Sequence, residues 1–288
     1  MPLRVSVVVP TCGRPELLAR CLRALERQSL PRADYEIIVI EDGERRGPAA
    51  ARNRGWRRAR APIVAFTDDD TEPAPEWLER GLEAFAPHVD AVTGRIVMPI
   101  PGRPTDYERD AQGLERAEFV TANCFLRRRT LERLGGFDES FRMAWREDSD
   151  LHFRLLQGGA RIAHAARAVV VHPVRPAPWG VSLRQQRKVM FDALLFKKHR
   201  KLYRSRIRAE PRWDYYAALG ALGVALAGQP LAWAGWGAFT LWFFAQRMRG
   251  ASRRPGHVLE MLVTSALIPP LAVFWRFAGA LRYRVAFL

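Results

Sequence analysis

Apolar residues fall into two alternating spacings over the first hundred positions. Val5-Ser-Val-Val-Val9 is a nearly unbroken apolar run closed by Pro10, whereas Leu17, Leu18, Cys21, Leu22 and Leu25 recur at helical intervals between Arg14 and Gln28. The alternation then repeats. Glu36–Ile40 reads as a strand stopped by Glu41-Asp42-Gly43, Pro48–Ala61 as a helix rich in Ala and Arg, and Ile63–Phe66 as a strand stopped by three acids. Trp77–Phe85 predicts another helix and Ala91–Val97 another strand. Repeated βα units of this size predict an α/β domain, a mostly parallel sheet flanked by helices. Ligands of such sheets bind beyond the carboxyl ends of the strands. Pro10-Thr11, Glu41-Asp42 and Asp68-Asp69-Asp70 all occupy such ends, so three polar segments are expected to meet in one crevice.

The pattern continues to about residue 172. Phe119–Leu126 reads as a strand, Arg128–Leu134 as a short helix, Ser149–Gln157 as a helix opened by Glu147-Asp148, and Ala168–Val171 as a last strand before His172-Pro173. After Pro178 the composition changes. Residues 181–212 are basic, with eleven Lys or Arg between Arg184 and Arg212 against only Asp192 and Glu210. Residues 215–246 then carry no charge and include Trp233, Trp236 and Trp242. The expected organisation is an α/β domain over 1–180, a basic amphipathic connecting segment over 181–212, and an apolar helical, membrane-associated region over 213–288.

As one helix the uncharged run would extend about 48 Å, too long for a hydrocarbon core of about 30 Å. Gly228-Gln229-Pro230 halves it, which fits a helical hairpin dipping into the bilayer or one strongly tilted span, and Pro269-Pro270 is expected to break the second apolar run, Met261–Trp275. A buried pair of soluble helices is the alternative reading. Arg247, Arg249, Arg253 and Arg254 separate the two runs, and Arg276, Arg282 and Arg284 follow the second. Re-entrant hairpins or interfacial helices would keep every basic cluster on the cytoplasmic side.

Charge supports the same picture. Lys and Arg number 46 against 30 Asp and Glu, a net of +16, so an anionic partner is expected. A membrane face accounts for the Trp-rich tail as well as the charge, and nucleic acid for the charge alone. Cys12, Cys21 and Cys124 have no zinc spacing and no disulfide framework, which fits a reducing compartment. The opening Met-Pro-Leu-Arg leads straight into a strand and lacks the pattern of a signal peptide.

Three adjacent carboxylates at a strand end repel one another, and hard oxygen ligands suit Mg²⁺ or Mn²⁺. A solvated acidic turn is the plainer account of the triplet. Asp42 has the alternative of a helix cap, Arg52 that of a solvated helix face, and Asp148 that of a helix-initiating acid.

The ordered set Val-Val-Val-Pro10-Thr11, Glu41-Asp42-Gly43, Arg52-Asn53-Arg54-Gly55, Asp68-Asp69-Asp70, Asn123 before Arg127-Arg128, Gly135-Gly136-Phe137-Asp138-Glu139 and Glu147-Asp148-Ser-Asp150-Leu151 resembles the inverting family 2 glycosyltransferases. The resemblance runs from about Val5 to His172. It implies a GT-A fold, a Rossmann-like sheet, and transfer of a sugar from a nucleotide donor such as a UDP-, GDP- or dTDP-sugar. It further implies Asp148 as general base and Asp70, with Asp68 and His172, as ligands of Mn²⁺ or Mg²⁺. Pro10, Thr11, Asp42, Arg52, Asn53, Asp68, Asp69, Asn123 and Glu147 would then line the nucleotide-sugar site. Processive members carry Gln-x-x-Arg-Trp; here Gln185-Gln186-Arg187-Lys188-Val189 lacks the Trp, so one sugar per encounter is expected. The acceptor is expected to be lipid-linked or a cell-surface glycan, the partners to include membrane lipids and no nucleic acid, and the location to be the cell membrane with catalysis on the cytoplasmic face. A silent sugar-nucleotide-binding scaffold at the membrane is the competing expectation.

Overall fold

The structure, a computed structural model, describes residues 2–288 and divides into two compact units. One runs to Pro99 and resumes over Gln112–Val174; the other joins Ile100–Ala111 to Arg175–Leu288. Residues 100–111, read from sequence as part of the first domain, therefore fold with the helical unit.

The first unit is built on seven strands: β1 (Val5–Thr11), β2 (Tyr35–Glu41), β3 (Ile63–Phe66), β4 (Glu72–Pro73), β5 (Ala91–Val97), β6 (Cys124–Arg127) and β7 (Ile162–Val171). Their order is β2-β1-β3-β6-β5-β7-β4. β1 pairs in parallel with β2 and β3, and β5 with β7, while β6 runs against both β3 and β5 and β4 runs against β7. The sheet is thus mixed, with β4 and β6 as its reversed strands. Every residue of β1 is buried, as a strand covered on both faces requires.

Helices α1 (Pro15–Glu26), α2 (Pro48–Arg58), α3 (Trp77–Glu83), α5 (Arg128–Leu134) and α6 (Glu147–Gln157) belong to this unit. The Ala-rich start of α2 reflects close packing. A Cβ added at Gly55 would lie 2.3 Å from Val8 Cγ1, so only glycine lets α2 lie this near β1. Arg52 and Asn53 are on the buried face, which rules out a solvated Arg face at that point. Val8, Val64, Phe66, Leu126, Phe137 and Leu151 form the core between the sheet and α2, α5 and α6. The expected strand over 119–126 is partly a 3-10 turn, Thr121–Asn123, because Asn123 points inward and holds three separate segments.

The second unit comprises α4 (Asp106–Ala111), α7 (Val181–Gln185), α8 (Met190–Lys198), α9 (Arg200–Arg206), α10 (Trp213–Leu226), α11 (Pro230–Met248) and α12 (Pro255–Tyr283). The basic stretch is not one amphipathic helix. Met190–Phe196 of α8 is buried residue by residue, the acid Asp192 enclosed among apolar neighbours, and its exposed cations begin at Lys197. α10 and α11 form a hairpin turning at Ala227-Gly228-Gln229, with Gly228 at φ +96°. α12 corrects an expectation: it continues through Pro269-Pro270 for 29 residues. Two missing N–H donors cost two helical bonds, but Ile268, Ala272 and Val273 pack with Tyr215 on both sides of that point and hold the helix together. Among the described residues, α12 is the one helix long and apolar enough to cross a membrane.

Candidate active site

Strand register brings the polar segments together. Thr11 pairs with Glu41 at the ends of β1 and β2, and Val8 with Phe66 at the end of β3, so the Asp triplet emerges level with the last residues of β1. The chain then enters β4, whose Glu72 pairs with Val171 of β7. That pairing draws the residue after β7, His172, back to the triplet. Asp70 Oδ1 lies 3.7 Å from His172 Nε2, and one ligand atom from each of Asp68, Asp70 and His172 falls within 4.8 Å of the others. Asp70 is buried, and His172 Nδ1 is enclosed without a hydrogen-bond partner.

The three acids have different partners. Asp68 accepts a 2.7 Å bond from Arg52 Nη2. Burial alone would raise its pKa, but Arg52, His172 and Arg14 together outweigh burial and hold it below the usual carboxylate range. Asp69 accepts a 2.6 Å bond from the Thr11 hydroxyl and faces Arg14 Nη2 at 2.8 Å. Its burial, with Asp70 and Asp68 beside it, still leaves its pKa raised. Arg14 also lies 3.6 Å from Asp70, so this guanidinium bridges two of the acids.

Arg52 joins the triplet to the other acidic motif. Its second arm donates to Glu147 Oε1 at 3.1 Å, and both side chains are buried. Burial and the neighbouring Asp148 push Glu147 up to about 7 in spite of Arg52. Asp148 is half-buried at the first turn of α6, where Oδ1 accepts the Ser149 N–H at 2.6 Å; burial raises its pKa as well. Arg146, the residue before this pair, adopts φ +75° and ψ −6°, an unusual backbone state for a side chain with a Cβ. It turns the chain so that Glu147 faces inward while Asp148 stays partly open.

Several expected donor-binding residues have other employment. Asn53 donates to Phe137 O and Glu139 Oε1 at 2.9 Å and accepts from Trp56 Nε1 and the Phe137 N–H, so its amide is spent on the Gly135-Gly136-Phe137 turn. Gly136 makes that fit possible: φ is +75°, and a Cβ there would stand 2.3 Å from Asn53 Oδ1. Asn123 likewise accepts from Trp77 Nε1 and donates to Arg95 O and Ala168 O. The side-chain N–H groups of both asparagines are thus taken up within the protein. Glu147 meets Arg52 at one oxygen, and its other oxygen is enclosed without a partner. Asp42 accepts the Arg46 and Gly47 N–H groups and Arg54 Nη2, so it closes the loop before α2. Pro10 sits in β1 opposite Ile40, and the Thr11 carbonyl accepts the Asp42 N–H at 2.8 Å. Arg14 escaped the sequence reading. The available signal was an arginine three residues past a strand end, with an acidic triplet at the neighbouring strand end.

Two carboxylates and an imidazole at this separation fit a divalent cation that accepts oxygen and nitrogen, as Mn²⁺ does. The buried imidazole nitrogen and the adjacent acids are groups that such an ion would satisfy.

Both the sequence and the fold resemble known proteins. The family profile described as Glycosyl transferase family 2 matches residues 6–46 and 43–151. Glycosyltransferase AglE of Haloferax volcanii is 28% identical over 222 residues, covering 64% of this chain and 71% of that protein. The pre-mycofactocin glycosyltransferase of Mycobacterium tuberculosis is 34% identical over 203 residues, 59% of this chain and 43% of that protein, so the match spans less than half of the mycobacterial relative. Among solved structures, the Pyrobaculum calidifontis mannosyltransferase PcManGT in complex with GDP-Man and Mn²⁺ superposes with a TM-score of 0.54 at 21% identity, covering 99% of this chain and 89% of that one. That likeness shows the fold. The mixed sheet, its polar strand ends and a profile match across more than half of the sequence lead to one conclusion: the chain is a glycosyltransferase with a GT-A fold and belongs to glycosyl transferase family 2.

Proposed function

We propose that the protein moves one sugar from a nucleotide-sugar donor to a hydroxyl of a lipid-linked or cell-surface glycan acceptor, with inversion, at the cytoplasmic face of a membrane. The observation that carries this reading is the convergence of Asp68, Asp70 and His172 within 4.8 Å, tied through Arg52 to the Glu147-Asp148 turn. Asp70, Asp68 and His172 would hold Mn²⁺ or Mg²⁺, which when bound supplies positive charge for a diphosphate leaving group.

This chain's own residues divide the remaining work. Asp148, half-open and held at one oxygen by Ser149, takes the proton from the attacking hydroxyl. A raised pKa makes it a stronger base than an ordinary aspartate once ionised. Glu147 and Arg52 position Asp148 and Asp68 from behind. Asp42 and Asp69 shape the base and ribose end of the crevice through the loop and the Thr11 hydroxyl. Arg14, held by Asp69 and 3.6 Å from Asp70, would share Asp70 with a bound cation and lies where its guanidinium could also meet a diphosphate.

Release of nucleotide from a panel of UDP-, GDP- and dTDP-sugars, with Mn²⁺ or Mg²⁺ and a membrane lipid extract, tests the reading. The expected result is release with one donor class that requires both metal and extract. Release that persists in Asp70→Ala and Asp148→Asn would place the chemistry elsewhere, and a donor that binds without turnover would favour the silent scaffold.

A further inference from the structure

The helical unit carries a large apolar surface that the fold leaves open. Within the hairpin, Leu226 is 70% exposed and Leu231 88%, and Trp233, Leu241 and Trp242 are exposed as well. No charged side chain lies between Asp214 and Arg247. The charges stand together at the hairpin base instead, where Arg212 pairs with Asp214 at 2.6 Å and Arg247 with Asp106 at 2.8 Å. Trp213, exposed beside them, is the residue type that settles at a headgroup boundary.

α12 presents a second open stripe. Leu259, Leu262, Leu267, Phe274, Phe277 and Leu281 are exposed along one face of the helix. Its opposite face is covered by the segment from Gly180 to Lys198 together with the hairpin base, where Arg247 Nη1 donates to the Thr264 and Ser265 hydroxyls. The Gly180 N–H meets Glu260 Oε1 at 2.7 Å, and Leu183 packs beside Ile268. Further along, Arg187 lies over the Trp275 ring at 5.9 Å and Lys197 Nζ donates to the Tyr283 carbonyl at 2.8 Å. At Gly279 the approach is closest, for a Cβ there would come 2.7 Å from Met190 O. Arg184, Arg187 and Lys188 therefore run alongside the middle of α12.

Those cations decide the orientation. Were α12 to cross a bilayer, its covering segment would be drawn to mid-membrane depth, where Lys and Arg are strongly disfavoured. With α12 lying flat, its apolar stripe meets the acyl chains and the cations behind it remain in water. The hairpin cannot cross either. α10, at 14 residues, reaches about 21 Å, short of the 30 Å core, and its tip has no charged group to anchor on the far side.

Charge identifies the occupant. Lys197, Arg200, Lys201 and Arg204 cluster on α8 and α9 of the same unit, and the whole chain carries +16. A second copy would bring like charges together, whereas an anionic leaflet complements them. We propose that the helical unit is a one-leaflet platform on an anionic membrane: α12 lies in the interfacial plane, and the α10–α11 hairpin dips into the near leaflet without crossing. This extends the membrane side of the functional reading and is independent of its chemistry.

The test uses the full-length chain in a Cys12→Ser background, since Cys21 and Cys124 are buried. Arg253→Cys and Leu288→Cys mark the two ends of α12, and both positions are exposed. Sealed membrane vesicles from expressing cells are treated with a membrane-impermeant maleimide. Labelling of both positions from the same face is expected; labelling from opposite faces shows a crossing helix and overturns the proposal. Flotation with phosphatidylglycerol-containing vesicles should resist high salt and weaken about tenfold or more in Leu231→Glu/Phe274→Glu, with the circular dichroism spectrum unchanged. Undiminished flotation of that folded variant, or a concentration-dependent dimer in place of flotation, overturns it equally. Donor turnover by the unaltered chain, measured separately, reports on the glycosyltransferase chemistry alone.

Discussion

The two units handle apolar and charged groups in opposite ways. In the sheet unit, Val39 is the only large hydrophobic residue left exposed among the described residues, while Arg52, Asp69, Asp70, Glu147 and Asp150 are buried. In the helical unit many large hydrophobics between Trp213 and Leu281 face outward, and most charges stay at the surface, with Asp192, Arg276 and Arg247, which pairs with Asp106, as the buried exceptions. Burying an ion is unfavourable unless it is paired and hydrogen-bonded, and exposing a contiguous apolar face is unfavourable unless something covers it. Each unit accepts one of these costs at the place where it functions. On the proposed reading, the sheet unit concentrates charge where a charged leaving group would be handled, and the helical unit exposes hydrocarbon where a membrane would cover it.

The sharpest way to break that comparison is to remove charge from the sheet unit without disturbing its packing. Asp148→Asn should lower the transfer rate by about 10²–10⁴ with little change in melting temperature, because the amide can still accept the Ser149 N–H. Single-turnover kinetics with a matched thermal melt would check it. A loss of rate that merely follows a loss of fold would mean that Asp148 is a cap and nothing more.

Next in size is Arg52→Ala. Asp68 and Glu147 would lose the cation between them, and breaking a buried pair costs about 3–5 kcal/mol. Denaturant unfolding should show that drop, with Arg52→Lys intermediate since a single ammonium cannot span both carboxylates with the same fork. A cost below about 1 kcal/mol, the range of a surface ion pair, would show that Arg52 is solvated in solution.

Asn53→Ala should come third, destabilising by about 1–3 kcal/mol through the groups left unpaired around Phe137. The Michaelis constant for the donor should not move. A raised Michaelis constant at unchanged stability would return Asn53 to the nucleotide site.

Much of this organisation is legible in the sequence. Period-two and period-3.6 patterning found the strands and helices of the sheet unit, and the polar strand ends marked the crevice. What stayed hidden depended on where a side chain points within a helix packed on two sides. The Ala-rich sequence of α2 has no strong amphipathic pattern, so Arg52 and Asn53 could not be separated into ligand-facing and scaffold roles. Asn53 three residues before Trp56 was the one local hint, because that spacing lets the amide accept the indole N–H. The reversed strand β6 was hidden because a short apolar run such as Cys124-Phe125-Leu126 has no direction. Pro269-Pro270 misled for a different reason: local propensity argues for a break, and tertiary packing at Tyr215 overrides it.

The smallest expected effect concerns pH and separates the units most finely. Glu147 titrates at about 7 in the folded chain and in the ordinary carboxylate range when unfolded, so between those values the folded state holds a proton that the unfolded state has released. Its contribution to stability is therefore fully present below the unfolded pKa and is lost as pH rises through about 7. Glu147→Gln keeps an acceptor for Arg52 but cannot ionise, so its melting temperature should fall less steeply than that of the unaltered chain from about pH 6 to about pH 8. The helical unit offers the control. Leu231→Glu is 88% exposed in the starting chain, and away from a membrane it should change stability by no more than about 0.5 kcal/mol at any pH in that window. If Glu147→Gln leaves the slope untouched, the buried acid is already ionised against Arg52 at neutral pH. Arg52 would then be neutralising an ionised Glu147-Asp148 pair, and the sheet unit would be storing charge rather than protons.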